Sequence, residues 1–188
     1  MIKIENITKK FGERIVLDDI SATFERGKTN LIIGQSGSGK TVLMKICIGL
    51  FEPDSGNVTF DERPFSNTKE KFKSDIRKEM GVLFQGGALF DSMNVEENVM
   101  FPLNMFTDLS YEEKLERVNF CLNRVNLNGI NDMMPSELSG GMMKRVAIAR
   151  AISNSPKYLF CDEPNSGLDP LTAELIDELI SEITQEYN

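Results

Sequence analysis

The 188-residue sequence contains no histidine, so no side chain can perform imidazole acid–base chemistry or bind a metal through imidazole. Its three cysteines, Cys47, Cys121 and Cys161, are scattered and lack CxxC spacing, which indicates reduced thiols rather than a disulfide framework or a zinc site. No apolar run approaches the length of a membrane span, and we expect no signal peptide at the N-terminus. If the protein works at a membrane, another chain must therefore supply the membrane part.

Acidic residues outnumber basic ones, with 29 Asp and Glu against 21 Lys and Arg and a formal net charge of −8. This balance argues against nucleic acid as the main partner, because surfaces that bind nucleic acid carry an excess of positive charge. A local basic site for phosphate remains compatible with it. Apolar residues make up 40% and charged residues 27%, which indicates an ordinary globular chain with room for one core and a subdomain.

A glycine-rich motif follows a short apolar run. Leu31–Ile33 has the composition of a parallel strand buried on both faces, and Val42–Leu50 has apolar residues at helical spacing. Between them, Gly34–Thr41 matches the phosphate-binding pattern GxxxxGK[ST] in the strand–loop–helix context that this pattern needs. Its backbone N–H groups suit phosphate oxygens, Lys40 supplies a positive charge, and Thr41 supplies a hydroxyl for Mg²⁺. The alternative is a glycine-rich turn followed by a chance Lys-Thr pair.

Alternating apolar residues predict antiparallel strands in the N-terminal third of the chain. They include residues 2–4, residues 20–24 and residues 58–60, with a turn that carries an exposed Phe11 between the first two strands. The N-terminal third is therefore expected to be a β-rich layer with one loop–helix unit inserted.

Helical signals dominate the middle of the chain. We expect Pro53 to stop the phosphate-loop helix just past Leu50. From about residue 88 to residue 153 the apolar period becomes helical, which predicts a helical subdomain. Within it, Ser110–Glu113 fits a capping box, and a further helix is expected from about Gly140 to Ile152.

Two further apolar runs, Met80–Phe84 and Tyr158–Cys161, predict buried strands that are followed at once by polar residues. The first ends at Gln85, and the second ends at Asp162 and Glu163. Ligands of open α/β sheets bind beyond the carboxyl ends of strands, where Asp162 suits Mg²⁺ at nucleotide phosphates and Glu163 suits an attacking water. The alternative is that the acidic pair only caps a helix.

Two helix starts lie in the C-terminal part of the chain. Ser139 can cap the helix from Gly140, and Gly140 with Gly141 lets an anion approach the free N–H groups, although a flexible turn is the alternative. Asp169 and Pro170 start the last helix as its N-cap and first residue. The expected buried stripe of this helix consists of Leu175, Leu179 and Ile183.

These motifs resemble those of the ATP-binding subunit of an ABC transporter. Leu138–Met142 is similar to the LSGGQ signature, with Met142 in place of the usual glutamine. Gly34–Thr41 resembles the Walker A motif and Tyr158–Asp162 the Walker B motif. The resemblance covers essentially the whole chain and implies an α/β fold, that of a P-loop NTPase of the ABC ATPase type. Such a fold has a mixed core sheet and an N-terminal antiparallel β layer, which together take up residues 1–87 and 154–188. A helical signature subdomain takes up residues 88–153.

The resemblance also implies roles for individual residues. Glu163 falls on the catalytic glutamate, and Gln85 falls on the Q-loop glutamine that contacts Mg²⁺ and the attacking water. Thr41 and Asp162 would complete the Mg²⁺ site, and Ser166–Asp169 falls on the D-loop. The residues implied to bind ATP are Phe11 and Val16 at the adenine, Gly34, Ser36, Gly37, Ser38, Gly39, Lys40 and Thr41 at the phosphates, and Ser139, Gly140, Gly141 and Asp169 in the signature and D-loop.

Membership of this family implies two partners. Two copies would pair head to tail, with each ATP between Gly34–Thr41 of one copy and Ser139–Gly141 of the other. An integral membrane permease would convert ATP binding and hydrolysis into transport. The implied location is the cytoplasmic face of the inner membrane, where the protein is peripheral through its permease, and no nucleic acid is expected.

A narrower resemblance concerns the cargo. Leu83–Val99 and Met134–Glu137 are similar to the ATPases associated with Mla and Mce proteins, which energise phospholipid transport between bacterial membranes. The alternatives are the ATPase of another ABC importer, a soluble ABC protein of translation or DNA repair, and a nucleotide-dependent interaction module without hydrolysis. The resemblance also implies a groove for a permease helix, although its residues could equally be core. The implied lining consists of Ala88, Leu89, Phe90, Met93 and Val95.

One family motif is absent, a histidine after the next strand that contacts the γ-phosphate. We therefore expect the sequence to be C-terminally truncated, with a naturally short form as the alternative. The core sheet should then lack at least one strand and leave apolar surface exposed near the Walker B strand. Residues 1–188 should bind Mg-ATP but hydrolyse it poorly, and normal turnover by the purified chain would contradict this expectation.

Overall fold

The N-terminal strands form an antiparallel sheet, as their alternating apolar residues predict. In the computed structural model, which describes residues 1–186, β1 (Ile2–Phe11) pairs with β2 (Arg14–Phe24) on one side and with β3 (Ser55–Phe60) on the other. The short strand β4 (Arg63–Pro64) pairs with β3, so the strand order is β2-β1-β3-β4. The predicted turn after Phe11 joins β1 to β2 and leaves its ring exposed.

A bulge in β1 lets the strand bury residues that do not alternate. Ile4 and Ile7 are both buried although three positions separate them, and strict alternation would place them on opposite faces. The register of β1 shifts between these residues, where Asn6 adopts a left-handed conformation with φ of 54°. Ile4 also lies opposite the fully buried Val58 of β3, so the two strands share one core face.

The phosphate-loop helix α1 (Lys40–Cys47) is shorter than the sequence predicts. It ends because Gly49 adopts a left-handed conformation with φ of 76°, which turns the amides of Leu50 and Phe51 back to the Lys45 carbonyl. The prediction that Pro53 ends the helix just past Leu50 was therefore wrong. A second short helix, α2 (Glu70–Arg77), follows the sheet.

The apolar run Leu31–Ile33 is neither a strand nor buried. Leu31 and Ile33 are 77% and 85% exposed, and Ile32 is 39% exposed. A parallel strand exists only through hydrogen bonds to neighbouring strands, and no described strand pairs with this run. The prediction of a buried strand before the phosphate loop was therefore wrong, because composition indicates a preference for burial but supplies no pairing partner.

Residues Lys78–Ile183 form one compact unit, and Met1–Arg77 with the described residues from Thr184 form another. In the unit Lys78–Ile183, β5 (Met80–Leu83) pairs in parallel with β6 (Tyr158–Cys161). Both strands form where the sequence predicts, but β5 ends one residue earlier, and only Gly81, Leu83 and Tyr158 are buried. The predicted boundaries of the helical subdomain stay a prediction, as does the missing strand of the core sheet.

Three helices pack together after β5: α3 (Val95–Phe106), α4 (Tyr111–Arg124) and α5 (Gly140–Ile152). The capping box at the start of α4 is confirmed, because the Ser110 hydroxyl accepts the Glu113 N–H and the Glu113 carboxylate accepts the Ser110 N–H. The bounds of α5 are those predicted. A short 3₁₀ helix, Pro135–Glu137, precedes α5.

The segment before α3 is held by an asparagine that the sequence analysis missed. Asn98 is completely buried, and its amide donates to the carbonyls of Phe90, Met93 and Asn94. Among the implied groove residues, Val95 is core, whereas Phe90 is 40% exposed. The core alternative is thus confirmed for Val95, and the groove for a permease helix stays a prediction.

The last helix, α6 (Pro170–Glu186), begins as predicted, because the Asp169 carboxylate accepts the Thr172 N–H at 3.1 Å. Its buried residues are Ile176, Leu179 and Ile183. Leu175 was assigned to this stripe wrongly and is 54% exposed, since it lies about 100° around the helix from Ile176. The predicted end of this helix near Asn188 lies outside the described residues.

The three cysteines are free thiols, as their spacing predicts. Burial raises the pKa of Cys47 and of Cys161 to about 12, which keeps both thiols protonated at neutral pH. Among residues 1–186, no helix is both long enough and apolar enough to cross a membrane.

Gly81→Ala should destabilise the unit that contains β5 and α5. A methyl group at Gly81 would lie 2.2 Å from the Ala151 carbonyl oxygen and 3.0 Å from Pro156, so the strand must move away from the helix. We expect the free energy of unfolding to fall by about 1–3 kcal/mol, measured by urea denaturation. Gly140→Ala is the control, because its methyl group would meet no atom within 4 Å. Equal stability of both variants would contradict the close packing of β5 on α5.

Candidate functional site

The phosphate loop is exposed and depends on one tightly packed glycine. Residues 34–38 are exposed, whereas Gly39 is buried and has a φ of 97°. A methyl group at Gly39 would lie 2.8 Å from the Leu17 side chain and 3.0 Å from the Val16 carbonyl oxygen. Only glycine fits this position, and the contact places Val16 beside the loop. Two of the predicted ATP-binding elements, Val16 and the phosphate loop, therefore meet.

Lys40 holds its ammonium group over the start of the same loop. Its Nζ donates to the Gly34 carbonyl at 2.9 Å and to the Gln35 carbonyl at 3.0 Å. The N-cap of α1 is Gly39, which offers no side-chain acceptor to the first amide groups of the helix. A cation and uncapped amide donors at a helix start favour a bound anion. The loop Gly34–Thr41 therefore has the donors that a phosphate chain needs.

The other predicted loop residues lie between the exposed run Leu31–Ile33 and α1. Ser36, Gly37 and Ser38 are exposed, and the Ser38 N–H donates to the Gln35 carbonyl at 3.2 Å. Thr41 lies half-buried in the first turn of α1. Its hydroxyl is the kind of oxygen that Mg²⁺ accepts.

Phe11 presents an aromatic surface at the end of β1. Its ring is 45% exposed and packs edge-on against Phe51, with the ring centroids 5.5 Å apart. The Lys9 ammonium lies 5.6 Å from the centroid of the Phe11 ring. An exposed ring fixed by a second ring suits stacking of a flat base. Phe51 was not predicted to support Phe11, because nothing in the sequence around it indicates that the two rings meet.

Parallel pairing of β5 and β6 brings together the two predicted catalytic residues. Leu83 lies opposite Cys161, and the Asp162 N–H extends the ladder by donating to the Leu83 carbonyl at 2.9 Å. Two residues past the paired positions, the Gln85 side-chain amide donates to the Glu163 carboxylate at 2.9 Å. The structure therefore places an amide and a carboxylate in contact at the carboxyl ends of neighbouring strands.

Glu163 has a backbone conformation that is uncommon for a side chain of its size. Its φ is 47°, in the left-handed region. Its carbonyl accepts the Ser166 N–H at 3.1 Å and the Lys144 ammonium at 3.2 Å. Lys144 is only 5% exposed, and burial lowers its pKa while the nearby Glu163 opposes that change. The sequence analysis missed Lys144, although a lysine within an apolar helix is a usable signal.

The loop after Gln85 is held by a second buried cation. Gly86, Gly87 and Ala88 all have positive φ values, so their carbonyls cannot join a regular ladder. Arg150, near the end of α5, donates to the carbonyls of Gly87 and Ala88, each at 2.8 Å. Its side chain is 8% exposed, and burial lowers its pKa. Arg150 therefore fixes the loop that carries Gln85, and the sequence analysis missed it.

The signature segment and the D-loop lie next to each other. Ser139 caps α5 by accepting the Met142 N–H at 3.2 Å, and Ser139 and Gly140 are exposed. A methyl group at Gly141 would lie 3.0 Å from the side chain of Thr172. Hydrogen bonds from Thr172 lower the pKa of the Asp169 carboxyl. The structure thus places Gly141 beside Thr172, the residue that bonds the Asp169 carboxylate.

The predicted Mg²⁺ ligands supply suitable oxygen atoms. Asp162 is 9% exposed and follows β6 directly, and Gln85 lies beside the neighbouring Glu163. In residues 1–186, no group of three or more His, Cys, Asp or Glu side chains could hold a metal ion. Mg²⁺ at nucleotide sites usually binds one or two protein oxygens together with substrate phosphates. The assignment of Thr41, Gln85 and Asp162 to one ion stays a prediction.

Comparison with known proteins identifies the family. Residues 17–166 match the model of the ABC transporter family, which is most of the chain. This chain belongs to the ABC transporter family. Membership agrees with the resemblance found in the Walker and signature motifs.

Two curated relatives of this ABC transporter chain are transport ATP-binding proteins. The intermembrane phospholipid transport system ATP-binding protein MlaF of Haemophilus influenzae is 38% identical over 188 residues, which is all of this chain and 71% of that protein. The probable ribonucleotide transport ATP-binding protein mkl of Mycobacterium tuberculosis is 38% identical over 187 residues, which is 52% of that protein. The chain thus spans about half the length of the mycobacterial relative.

A solved structure supports the same assignment of the fold. The ATP-binding cassette MJ0796, described as a dimer in a post-hydrolysis state bound to ADP and Pi, has a TM-score of 0.90 and 34% identity. The match covers 99% of this chain and 84% of that one. The α/β fold of an ABC ATPase is therefore confirmed.

Proposed function

We propose that the chain is the ATP-binding and ATP-hydrolysing subunit of an ABC transporter. The observation that carries this proposal is the contact between Gln85 and Glu163 at the ends of β5 and β6. A carboxylate held by an amide at this edge is suited to orient and polarise a water. The exposed glycine loop with Lys40 supplies the phosphate-binding part of the same activity.

In the proposed mechanism, each residue acts on the triphosphate or on water. The amides of Gly34–Thr41 bind phosphate oxygens. The Lys40 ammonium leaves the carbonyls of Gly34 and Gln35 and contacts the β- and γ-phosphates instead. Thr41, Gln85 and Asp162 would hold Mg²⁺, which neutralises charge on these phosphates when it is bound. Glu163 would accept a proton from the attacking water as the water oxygen bonds to the γ-phosphorus and the bond to the bridging oxygen breaks, which releases ADP and phosphate.

The proposal includes a second copy of the chain. Ser139 and Gly140 are exposed at the start of α5, where amide groups face solvent and can meet an anion. The structural relative MJ0796 is described as dimeric. We propose a head-to-tail homodimer in which Ser139–Gly141 and Asp169 of one copy complete the ATP site of the other.

The proposed cargo is phospholipid, moved between bacterial membranes in an Mla-like system. The likeness to MlaF proteins supports this, since the Haemophilus and Escherichia coli proteins are 38% and 40% identical to the chain. The name of the mycobacterial relative makes a ribonucleotide transporter the alternative. In either system the chain would lie at the cytoplasmic face of the inner membrane through a permease. The test is to purify the complete protein together with its membrane partner. Phospholipid bound in that complex would favour phospholipid as the cargo, and a complex without bound lipid would contradict it.

Lys40→Ala should remove nucleotide binding. The ammonium is the one side-chain cation that contacts the carbonyls of Gly34 and Gln35 in the described structure, so its loss leaves the loop without its charge. We expect the affinity for Mg-ATP to fall by about 100-fold or more in isothermal titration calorimetry. Lys71→Ala, at an exposed lysine of α2, is the control and should bind as the unaltered chain does. Unchanged affinity of the Lys40 variant would exclude this loop as the phosphate site.

Glu163→Gln should keep ATP binding and slow hydrolysis. The substitution preserves size and a hydrogen bond to Gln85 but removes the carboxylate that accepts the proton. In the complete protein that contains this chain, we expect kcat to fall by about 100-fold or more, with closed dimers accumulating in ATP. Phosphate release and size-exclusion chromatography measure the two effects. Unaltered turnover would mean that Glu163 does not polarise the water.

A further inference from the structure

A buried lysine lies behind the proposed catalytic carboxylate. Lys144 is on α5 and is 5% exposed, although the surrounding residues of this helix are mostly apolar. An ammonium group loses its hydration on burial, which is unfavourable unless it finds acceptors in the protein. Lys144 therefore needs a structural or functional explanation.

The contact of Lys144 is with the main chain of Glu163 rather than with its carboxylate. Its Nζ lies 3.2 Å from the Glu163 carbonyl oxygen, which also accepts the Ser166 N–H at 3.1 Å. Glu163 has a φ of 47°, a conformation that costs free energy for a non-glycine residue. Two donors on one carbonyl stabilise that turn.

The direction of the Glu163 side chain depends on this backbone conformation. The left-handed turn sends the carboxylate toward Gln85, whose amide donates to it at 2.9 Å. A different backbone conformation at Glu163 would change the direction of its Cα–Cβ bond, which sets where the carboxylate can reach. The position of the carboxylate is thus fixed at two points, its own backbone and the Gln85 side chain.

We propose that Lys144 is a positioning residue for Glu163, which holds the peptide of Glu163 in the conformation that aims its carboxylate at the attacking water. This role rests on the proposed ATPase function and deepens it. A structural role alone would require Lys144 only for folding. A positioning role predicts an effect on turnover that acts through Glu163.

The test is a double-mutant cycle in the complete protein with Mg-ATP. Lys144→Met keeps the length of the side chain and removes the donor, so we expect kcat to fall about 10- to 100-fold, with the dissociation constant for ATP within about twofold. In the Glu163→Gln background, adding Lys144→Met should change kcat by less than about twofold, since the carboxylate it positions is already gone. Lys144→Arg keeps a cationic donor and should retain most of the turnover.

The controls separate positioning from stability. Lys71→Met, at an exposed lysine of α2, should leave kcat and the thermal midpoint unchanged. If Lys144→Met does not fold, Lys144→Leu, which also removes the donor, takes its place in the same cycle. Turnover of folded Lys144→Met or Lys144→Leu equal to that of the unaltered protein would overturn the proposal. A full additive loss in the Glu163→Gln background would also overturn it.

The failure of this inference can be distinguished from failure of the proposed function. If Glu163→Gln slows hydrolysis and neither Lys144→Met nor Lys144→Leu does, only the positioning role is wrong. If the unaltered complete protein does not hydrolyse ATP, or Glu163→Gln leaves turnover unchanged, the proposed function fails and the positioning role fails with it.

Discussion

The parallel pairing of β5 with β6 is the constraint on which the catalytic arrangement depends. Pairing of Leu83 with Cys161, extended by the Asp162 N–H, fixes the relative height of the two strand ends. Gln85 and Glu163 then leave the sheet at the same level, and their side chains meet at 2.9 Å. A slip by one residue would turn alternate side chains to the opposite face and separate this pair. The contact between distant parts of the sequence is thus a consequence of register.

Two buried cations on α5 support the loops that leave these strands. Such loops turn sharply, so several of their carbonyls find no partner in a strand ladder. Lys144 serves the Glu163 carbonyl, and Arg150 serves the Gly87 and Ala88 carbonyls. Burial of charge is tolerated here because each cation finds oxygen acceptors, and the same acceptors would be unsatisfied without it. One helix therefore stabilises both loops, and it begins at the exposed signature residue Ser139.

Features that depend on neighbouring residues could be predicted from the sequence, whereas contacts between distant parts of the chain could not. The starts of α5 and α6 are set by the capping residues Ser139 and Asp169, which act on neighbouring amides and can be recognised in the sequence. The run Leu31–Ile33 misled the prediction, because an apolar composition does not specify which strand will pair with it. Arg150 was missed for a related reason, since its acceptors lie more than 60 positions earlier in the chain.

The charge of the chain explains why the proposed dimer must depend on its nucleotide. Each copy carries a formal charge of −8, so two copies repel one another, and ATP adds further negative charge. At physiological salt, charges farther apart than about 8 Å are largely screened from one another. The attraction that holds the two copies together must therefore come from groups in direct contact. Lys40 provides such attraction in one loop, whereas Ser139–Gly141 offers only amide groups and the start of α5. In the proposed pair, the triphosphate therefore binds first to the loop that has a cation. The signature segment joins afterwards, because its weaker partial charge suffices only when the anion is already held in place.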